Sequence, residues 1–387
     1  MTGHLVGSLA RRGVEAANDH YHQHGPPQWV KDNVHKLSGL GIALMILTVL
    51  GYVFLSSSVE YIIRLVYAHL AMVETPETTV EVHAYTQANA EDAKIVQNLV
   101  EAGLIEDSGC EDEPMVIERQ FAITGSLKRT RNHITSIGGH RARWRGLFIF
   151  IMYAIMVSVT GWILRKPLRL EVLPFSNVLV DVLTAIFAAR IHCAWTHKVI
   201  SMPSDKRIRD RLVTRAQWKE LMVPTALSAG AHGFVFEGIQ VMHDYASQAC
   251  EMLEQHQVSP WVIFAVAVVP VLAGGAALAL FILLPAYVSL VRKEASLLSP
   301  EEETIVPMDR TFGGRIPYIG AKLNVGDAWA SFTWEARVRL VKLYVKFFFV
   351  MVAMFLLFAH LLAFEFFVAA GSKAQDIILD IMEHMRN

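Results

Sequence analysis

The feature that most constrains this chain is a set of long runs without a charged side chain. A helix needs about 20 apolar residues to cross about 30 Å of hydrocarbon, and a water-soluble core rarely calls for such runs. Leu37–Val59 carries no charge and is rich in Leu, Ile and Val. Gly146–Leu164 is a second run, with Arg143 and Arg145 before it and Arg165 and Lys166 after it. Gln255–Val291 is the longest; Ser259 suits an N-cap, Pro260 the first helical position, and Arg292 and Lys293 close it. Pro270 and Pro285 predict kinks within it, and Gly274 and Gly275 allow a neighbouring helix to approach. Phe347–Phe364 is interrupted only by His360. Two further runs carry a few ionisable groups: Val172–His197 holds Asp181, Arg190 and His192, and Leu221–Met242 holds His232 and Glu237.

Counting both gives six spans and an all-α, polytopic helical membrane protein with large loops on one face. Val59–Val73 would be a seventh, but Glu60, Arg64 and His69 make it an interfacial extension of the first span. Glu60 and Arg64 are spaced to pair at i, i+4. The chain divides into a polar segment (1–36), the first span with its extension (37–73), an acidic-then-basic loop (74–145), a four-span core (146–291), a loop (292–346), and the last span with its tail (347–387).

Composition agrees. Residues are 53% hydrophobic and 18% charged, against about 45–50% and about 25% in soluble domains. Disorder, collagen and coiled-coil arrays are excluded. Cys110, Cys193 and Cys250 form neither a disulfide framework nor a zinc spacing. No P-loop, GxSxG, strand-associated GxGxxG or Asp-rich prenyl-diphosphate motif is present.

Orientation follows from basic residues. Loops Glu74–Arg145, Lys198–Glu220 and Arg292–Lys346 hold 8, 7 and 9 Lys or Arg. The segments on the opposite face (the N-terminus, Arg165–Arg169, Asp244–Gln255 and the C-terminus) hold 4, 3, 0 and 2. The positive-inside rule therefore places the three long loops in the cytosol. The first 36 residues contain no apolar signal-peptide core, and a His20–His22–His24 cluster there reads as a solvated tail. His4–Asn18 resembles an Arg-bearing presequence, but Glu15 and Asp19 argue against mitochondrial targeting and leave the plasma membrane or an endomembrane. Within the first long loop, acidic residues crowd around Cys110, Ala90–Gly103 reads as a short amphipathic helix, and Lys128–Arg145 is basic.

Ionisable groups inside spans need a partner, water or a role, because a mid-membrane charge costs at least about 2.5–3.5 kcal/mol. The ligand-cavity candidates are Asp181, Arg190, His192, His232, Glu237, His360 and Glu365. Asp181 and His192 are eleven residues apart and share a helix face, whereas Asp181 and Arg190 face opposite ways. Glu237 or Glu365 is then the natural counter-charge for Arg190. Such pairs either fix helix packing or line a polar cavity between the third, fourth and sixth spans. His192 and His197 lack the neighbours of a di-iron site. Haem ligation would need pairs among His69, His197, His232 and His360, which read more simply as hydrogen-bonded structural residues. No cofactor and no metal are expected.

The basic loop 198–219 suits anionic lipid headgroups, and without a motif it does not suit nucleic acid. In Glu301–Gly314, Pro307 and Asp309 favour a turn and Gly313–Gly314 permit positive φ. The segment reads as a connector, or alternatively as a gate or docking loop.

Three patches carry a family resemblance: Trp195-Thr196-His197 with Ser201-Met202-Pro203-Ser204; Arg141-Ala142-Arg143-Trp144-Arg145-Gly146; and Ala295-Ser296-Leu297-Leu298 followed by Ile305-Val306-Pro307-Met308-Asp309-Arg310-Thr311-Phe312-Gly313-Gly314. They resemble an orphan group of fungal multi-pass membrane proteins sometimes labelled ubiquitin carrier proteins. The group brings no established mechanism or catalytic residues. The label does not suit the sequence, because ubiquitin conjugation uses a soluble α/β domain with a catalytic cysteine and Cys193 lies in an expected span. The resemblance implies a filamentous-fungal source and a link to natural-product pathways. Three functional readings follow. The first is an accessory or transport-type protein handling a lipophilic or amphipathic metabolite. The second is an integral-membrane cyclase- or isomerase-like enzyme using Asp181 or Glu237 as acid/base. The third is a scaffold without a small-molecule site.

Overall fold

The computed structural model describes residues 37–75, 82–83, 116–117, 122–168, 176–255, 258–318 and 321–379. The helix expected over Ala90–Gly103, the acidic cluster around Cys110 and the N-terminal histidines lie outside these. The architecture is all-α; a two-residue antiparallel pair, β1 (Val82–His83) and β2 (Val116–Ile117), is the strand structure among the described residues.

Helix α1 runs over Gly39–Val73, with a π-helical stretch at Glu60–Tyr67. Helix α2 is Leu127–Gly138, α3 Leu147–Leu168, α4 Ser176–Ile200 and α5 Arg215–Gln255. Helix α6 covers Trp261–Ser296, α7 is Val325–Ala330 and α8 is Trp334–Ala370. Among the described residues, five helices are long and apolar enough to span a membrane: α1, α3, α4, α6 and α8 in its extent to Leu379. The chain is thus a multi-pass membrane protein. The sixth expected span, Leu221–Met242, lies inside the 41-residue α5. It falls short of the others in apolarity, since α5 carries His232 and Glu237 and continues as helix through the polar stretch Asp244–Gln255, which the sequence suggested was a loop. α5 nonetheless lies alongside α4 and α6, with Gly233 against Val178 and Gly238 against Leu278.

Local chemistry explains the irregular turns of α6. Its π-helical stretches, Phe264–Val268 and Ala279–Leu283, lie just before Pro270 and Pro285. Proline removes one ladder hydrogen bond and crowds the preceding turn, and a π-turn accommodates both.

The long helices form two groups. In one, the first half of α1 runs antiparallel to the second half of α8. Gly41 sits where any side chain would collide with Ala369, and the Tyr52 and Phe358 rings lie 5.3 Å apart. In the other, α3, α4, α5 and α6 pack in sequence. Residues 60–73 of α1 provide the main contacts between the groups.

Those contacts belong to a head on the loop side. At 1.5 Å per residue the 35 residues of α1 rise about 52 Å, about 20 Å more than the hydrocarbon is thick. The surplus of α1 joins the ends of α4 and α6, the start of α8, α2 and the 298–332 loops. The largest buried cluster is here, although α4 also buries Val180, Ala188 and Ala189, and α5 Val235, within the helix bundle. Val66, Ala68, Leu70, Ala71 and Met72 are fully buried, whereas none of the apolar window of α8 is.

Candidate functional site: an ionic hub in the head

At the end of α6 three ionisable residues follow one another, Arg292-Lys293-Glu294, and all three are buried. Consecutive helical side chains diverge by about 100°, so each meets a different neighbour. Arg292 Nη1 donates to the Met72 carbonyl of α1 (2.9 Å) and its Nε to Ser331 Oγ (3.1 Å). Its guanidinium lies 5.0 Å from the Phe312 ring centroid and 5.7 Å from that of Phe332. Lys293 Nζ meets Glu220 of α5 at 2.6 Å. Glu294 receives His192 Nδ1 at 2.7 Å and the Thr196 hydroxyl at 2.6 Å, both from α4. The backbone carbonyl of Glu294 accepts from His197 Nε2 (2.8 Å). Glu294 is inaccessible to solvent, so these donors replace the hydration that its carboxylate loses.

An aromatic ring of side chains continues the hub. His69 Nδ1 lies 2.6 Å from the Leu65 carbonyl, which can only accept, so Nδ1 carries the proton. His69 Nε2 is then the acceptor for the Tyr287 hydroxyl at 3.2 Å. The His69 ring meets Trp195 edge-on at 4.5 Å between centroids, and Trp195 also contacts His192 and Phe150. Trp195 Nε1 donates to the Tyr61 hydroxyl, which donates to the Arg145 carbonyl (2.7 Å). Gly146, at φ +77°, lets the chain turn into α3 beside Trp195, where a side chain would not fit. Arg64 pairs with Glu60 at 2.6 Å across one turn, as the spacing predicts.

Outside the spans, the 198–219 loop is clamped to the 299–310 loop. Met202 N donates to the Glu303 carbonyl (2.8 Å) and Ile305 N to the Ile200 carbonyl (2.9 Å). Glu302 receives Lys206 Nζ (2.6 Å) and Arg211 Nη1 (3.3 Å). Partial burial pushes the Glu302 carboxyl up, but Lys206 and Arg211 outweigh it and hold the group below its ordinary value. Burial lowers the Arg310 guanidinium, which is held on the Ser299 carbonyl at 3.0 Å. In the connector, Asp309 accepts from the backbone N–H of Thr311 (2.7 Å) and Gly313 (2.6 Å). Gly313 and Gly314 adopt φ +71°, the conformation expected of them. Phe312 joins them at φ +55° and is inserted against Arg292.

The seven cavity candidates do not converge. His192 alone belongs to the hub. Arg190, in the second half of α4, donates from Nε to the Val213 carbonyl (2.9 Å). Glu237 receives Asn177 Nδ2 at 3.5 Å, near the opposite end of α4. Thirteen residues separate Asn177 from Arg190, about 20 Å of helix, so Glu237 is not the counter-charge that the sequence suggested. Glu365 is not either: it receives the Thr48 hydroxyl (2.6 Å) in the α1–α8 pair. Asp181 shares a face with His192 but lies about 16 Å away along the axis. His232 is half-buried on α5, and His360 is exposed with Nδ1 on the Leu356 carbonyl (2.7 Å). Among the described residues no group of three His, Cys, Asp or Glu is placed to hold a metal ion.

Sequence reasoning missed Glu294, read Arg292 and Lys293 as a cytosolic flank, and placed His69 in an interfacial extension. The signal available was the Arg-Lys-Glu triplet itself, set in a helix between Val288–Val291 and Ala295. Comparison of the chain with protein-family models, curated proteins and solved structures gave no match.

Proposed function

We propose that this chain is an accessory membrane protein that holds a lipophilic or amphipathic molecule laterally, between its two groups of long helices. One observation carries the reading. The groups are joined chiefly through the head, so their apolar faces stay open to the bilayer while the loop side is closed by a packed core. A molecule entering from the lipid would lay its apolar part along α1 and α6. Its polar end would rest at the start of the head, near Arg64, Glu60 and the Tyr61 hydroxyl. The closed head favours lateral holding over passage through a central pore. The resemblance to fungal membrane proteins supports a natural-product metabolite as the occupant, and the positive-inside counts support a cytosolic head. Anionic headgroups would meet the exposed Arg207, Arg209, Arg215 and Lys219 of the basic loop.

The scaffold reading is favoured by the local hydrogen-bond partners of Arg190, Glu237 and Glu365. Gene deletion with metabolite profiling of cells and medium, followed by complementation, separates the two. Lateral holding predicts an altered profile that Glu237→Gln restores and Arg64→Gln does not, with both proteins present at wild-type level. Restoration by both variants supports the scaffold. Failure of Asp181→Asn and Glu237→Gln, with protein present, returns the reaction or transport path to those carboxylates.

A further inference from the structure

Besides closing the head, Glu294 decides which nitrogen of His192 is left over. A carboxylate accepts, so His192 Nδ1, 2.7 Å from Glu294 Oε1, carries the proton, and Nε2 of the neutral ring is a lone-pair acceptor. Among the described residues Nε2 has no hydrogen-bond partner, and it is not sealed in: the side chain keeps 7% of its surface. His69 is the contrast. Its ring lies 6.4 Å from that of His192, and both its nitrogens are engaged, Nδ1 on the Leu65 carbonyl and Nε2 on the Tyr287 hydroxyl. On the other side Tyr153 of α3 meets the His192 ring edge-on at 5.2 Å. The Tyr153 hydroxyl also lacks a hydrogen-bond partner among the described residues and is not enclosed.

Position and charge narrow what these two atoms can receive. Tyr153 lies in the apolar run Gly146–Leu164 of α3, and His192 lies in the spanning part of α4. The neighbouring Phe150, Trp195 and Tyr287 belong to the core of the head. Below the head the first half of α1 packs on α8 while α3 packs on α4, so the two atoms stand where the opening between the groups meets the head. The nearby charges are already matched, Glu294 by His192 and Thr196 and Arg64 by Glu60. An incoming anion or cation finds no waiting counter-charge. One acceptor nitrogen beside one hydroxyl suits a neutral group that both donates and accepts. We propose that His192 Nε2 and the Tyr153 hydroxyl bind the hydroxyl group of a lipophilic alcohol or phenol. The inference rests on lateral holding and names the chemistry of the polar end. The ligand O–H donates to His192 Nε2, its oxygen accepts from Tyr153, and its hydrocarbon part extends into the opening.

The test titrates the purified full chain in detergent with hexadecanol, hexadecanoate and hexadecylamine, three polar ends on one hydrocarbon chain, and counts bound molecules by native mass spectrometry. Brief treatment with diethyl pyrocarbonate, which acylates an accessible unprotonated imidazole nitrogen, followed by peptide mass spectrometry, reads the site itself. In the ligand-free wild type His192 is modified and His69 is spared. Hexadecanol binds tightest of the three and protects His192. Tyr153→Phe keeps the ring, removes the hydroxyl and weakens hexadecanol binding about fivefold, the worth of one hydrogen bond. If that variant melts early, the wild-type order of the three ligands and the protection of His192 decide. Four results overturn the proposal: no modification of His192 without ligand, tighter binding of hexadecanoate or hexadecylamine, hexadecanol bound without protecting His192, and equal hexadecanol affinity of wild type and a stably folded Tyr153→Phe. Tighter binding of a charged ligand, or binding away from His192, leaves lateral holding standing with a different polar end. Binding of none of the three removes both readings.

Discussion

The head and the spanning region treat charge in opposite ways. In the head, Arg292, Lys293 and Glu294 are almost inaccessible, and each is met by partners from a different part of the fold. In the apolar helices, Glu365 and Glu237 are half-buried; Glu365 accepts the Thr48 hydroxyl and Glu237 the Asn177 amide. The difference follows from what surrounds each region. Lipid cannot compensate a charge, so the spans hold few. A head packed from several helix ends can carry charges wherever donors and acceptors converge, and removing one member strands the others. Glu294→Ala is accordingly expected to be the most damaging single change. It leaves His192 and Thr196 facing an empty acceptor site, and loss of one partner from a buried pair costs about 3–5 kcal/mol. Thermal unfolding in detergent checks it. A melting temperature within error of wild type would remove the hub from the stability of the head.

A smaller effect is expected where the head meets water. Glu302 has a depressed pKa in the folded protein, so it contributes stability above the ordinary glutamate value of about 4.3. That contribution disappears as pH falls through the lower folded value, because the protonated group no longer attracts Lys206 and Arg211. Melting temperature followed from neutral pH down to about 3 should therefore fall in wild type. The Glu302→Gln chain should start lower and show a shallower acid decline. Parallel curves for the two proteins would separate the clamp between the loops from acid stability.

The spans were legible in the sequence because the bilayer imposes a local rule: a window of about 20 residues either lacks charge or it does not. Local geometry was legible for the same reason. The Glu60–Arg64 pair, the irregular turns before Pro270 and Pro285, and the positive φ of Gly313 and Gly314 each follow from near neighbours in the chain. The hub was not legible. Arg292 and Lys293 look like the basic flank of a span, and they are buried only because α1, α4 and α8 continue past the membrane and close around α6. Searching for charge within apolar runs found His192 but scattered the other six candidates, since depth along a helix is invisible to a face-matching argument. Asp181 and His192 share a face and still lie about 16 Å apart.

The mildest expected effect falls in the α1–α8 pair. Thr48 donates a 2.6 Å hydrogen bond to Glu365 Oε1. Thr48→Val keeps the shape and removes the donor. Interhelical hydrogen bonds of this kind contribute about 0.6 kcal/mol on average in a helical membrane protein, because separated helices find other partners in the membrane. A shift in melting temperature much smaller than that of Glu294→Ala is the expected result. A loss as large as the hub variant's would mean that α1 and α8 are held by this contact and not by the close approach of Gly41 to Ala369. Gly41→Leu supplies the matching arm: it forces those two helices apart and should cost more than Thr48→Val, since a side chain driven into Ala369 cannot be accommodated by lipid.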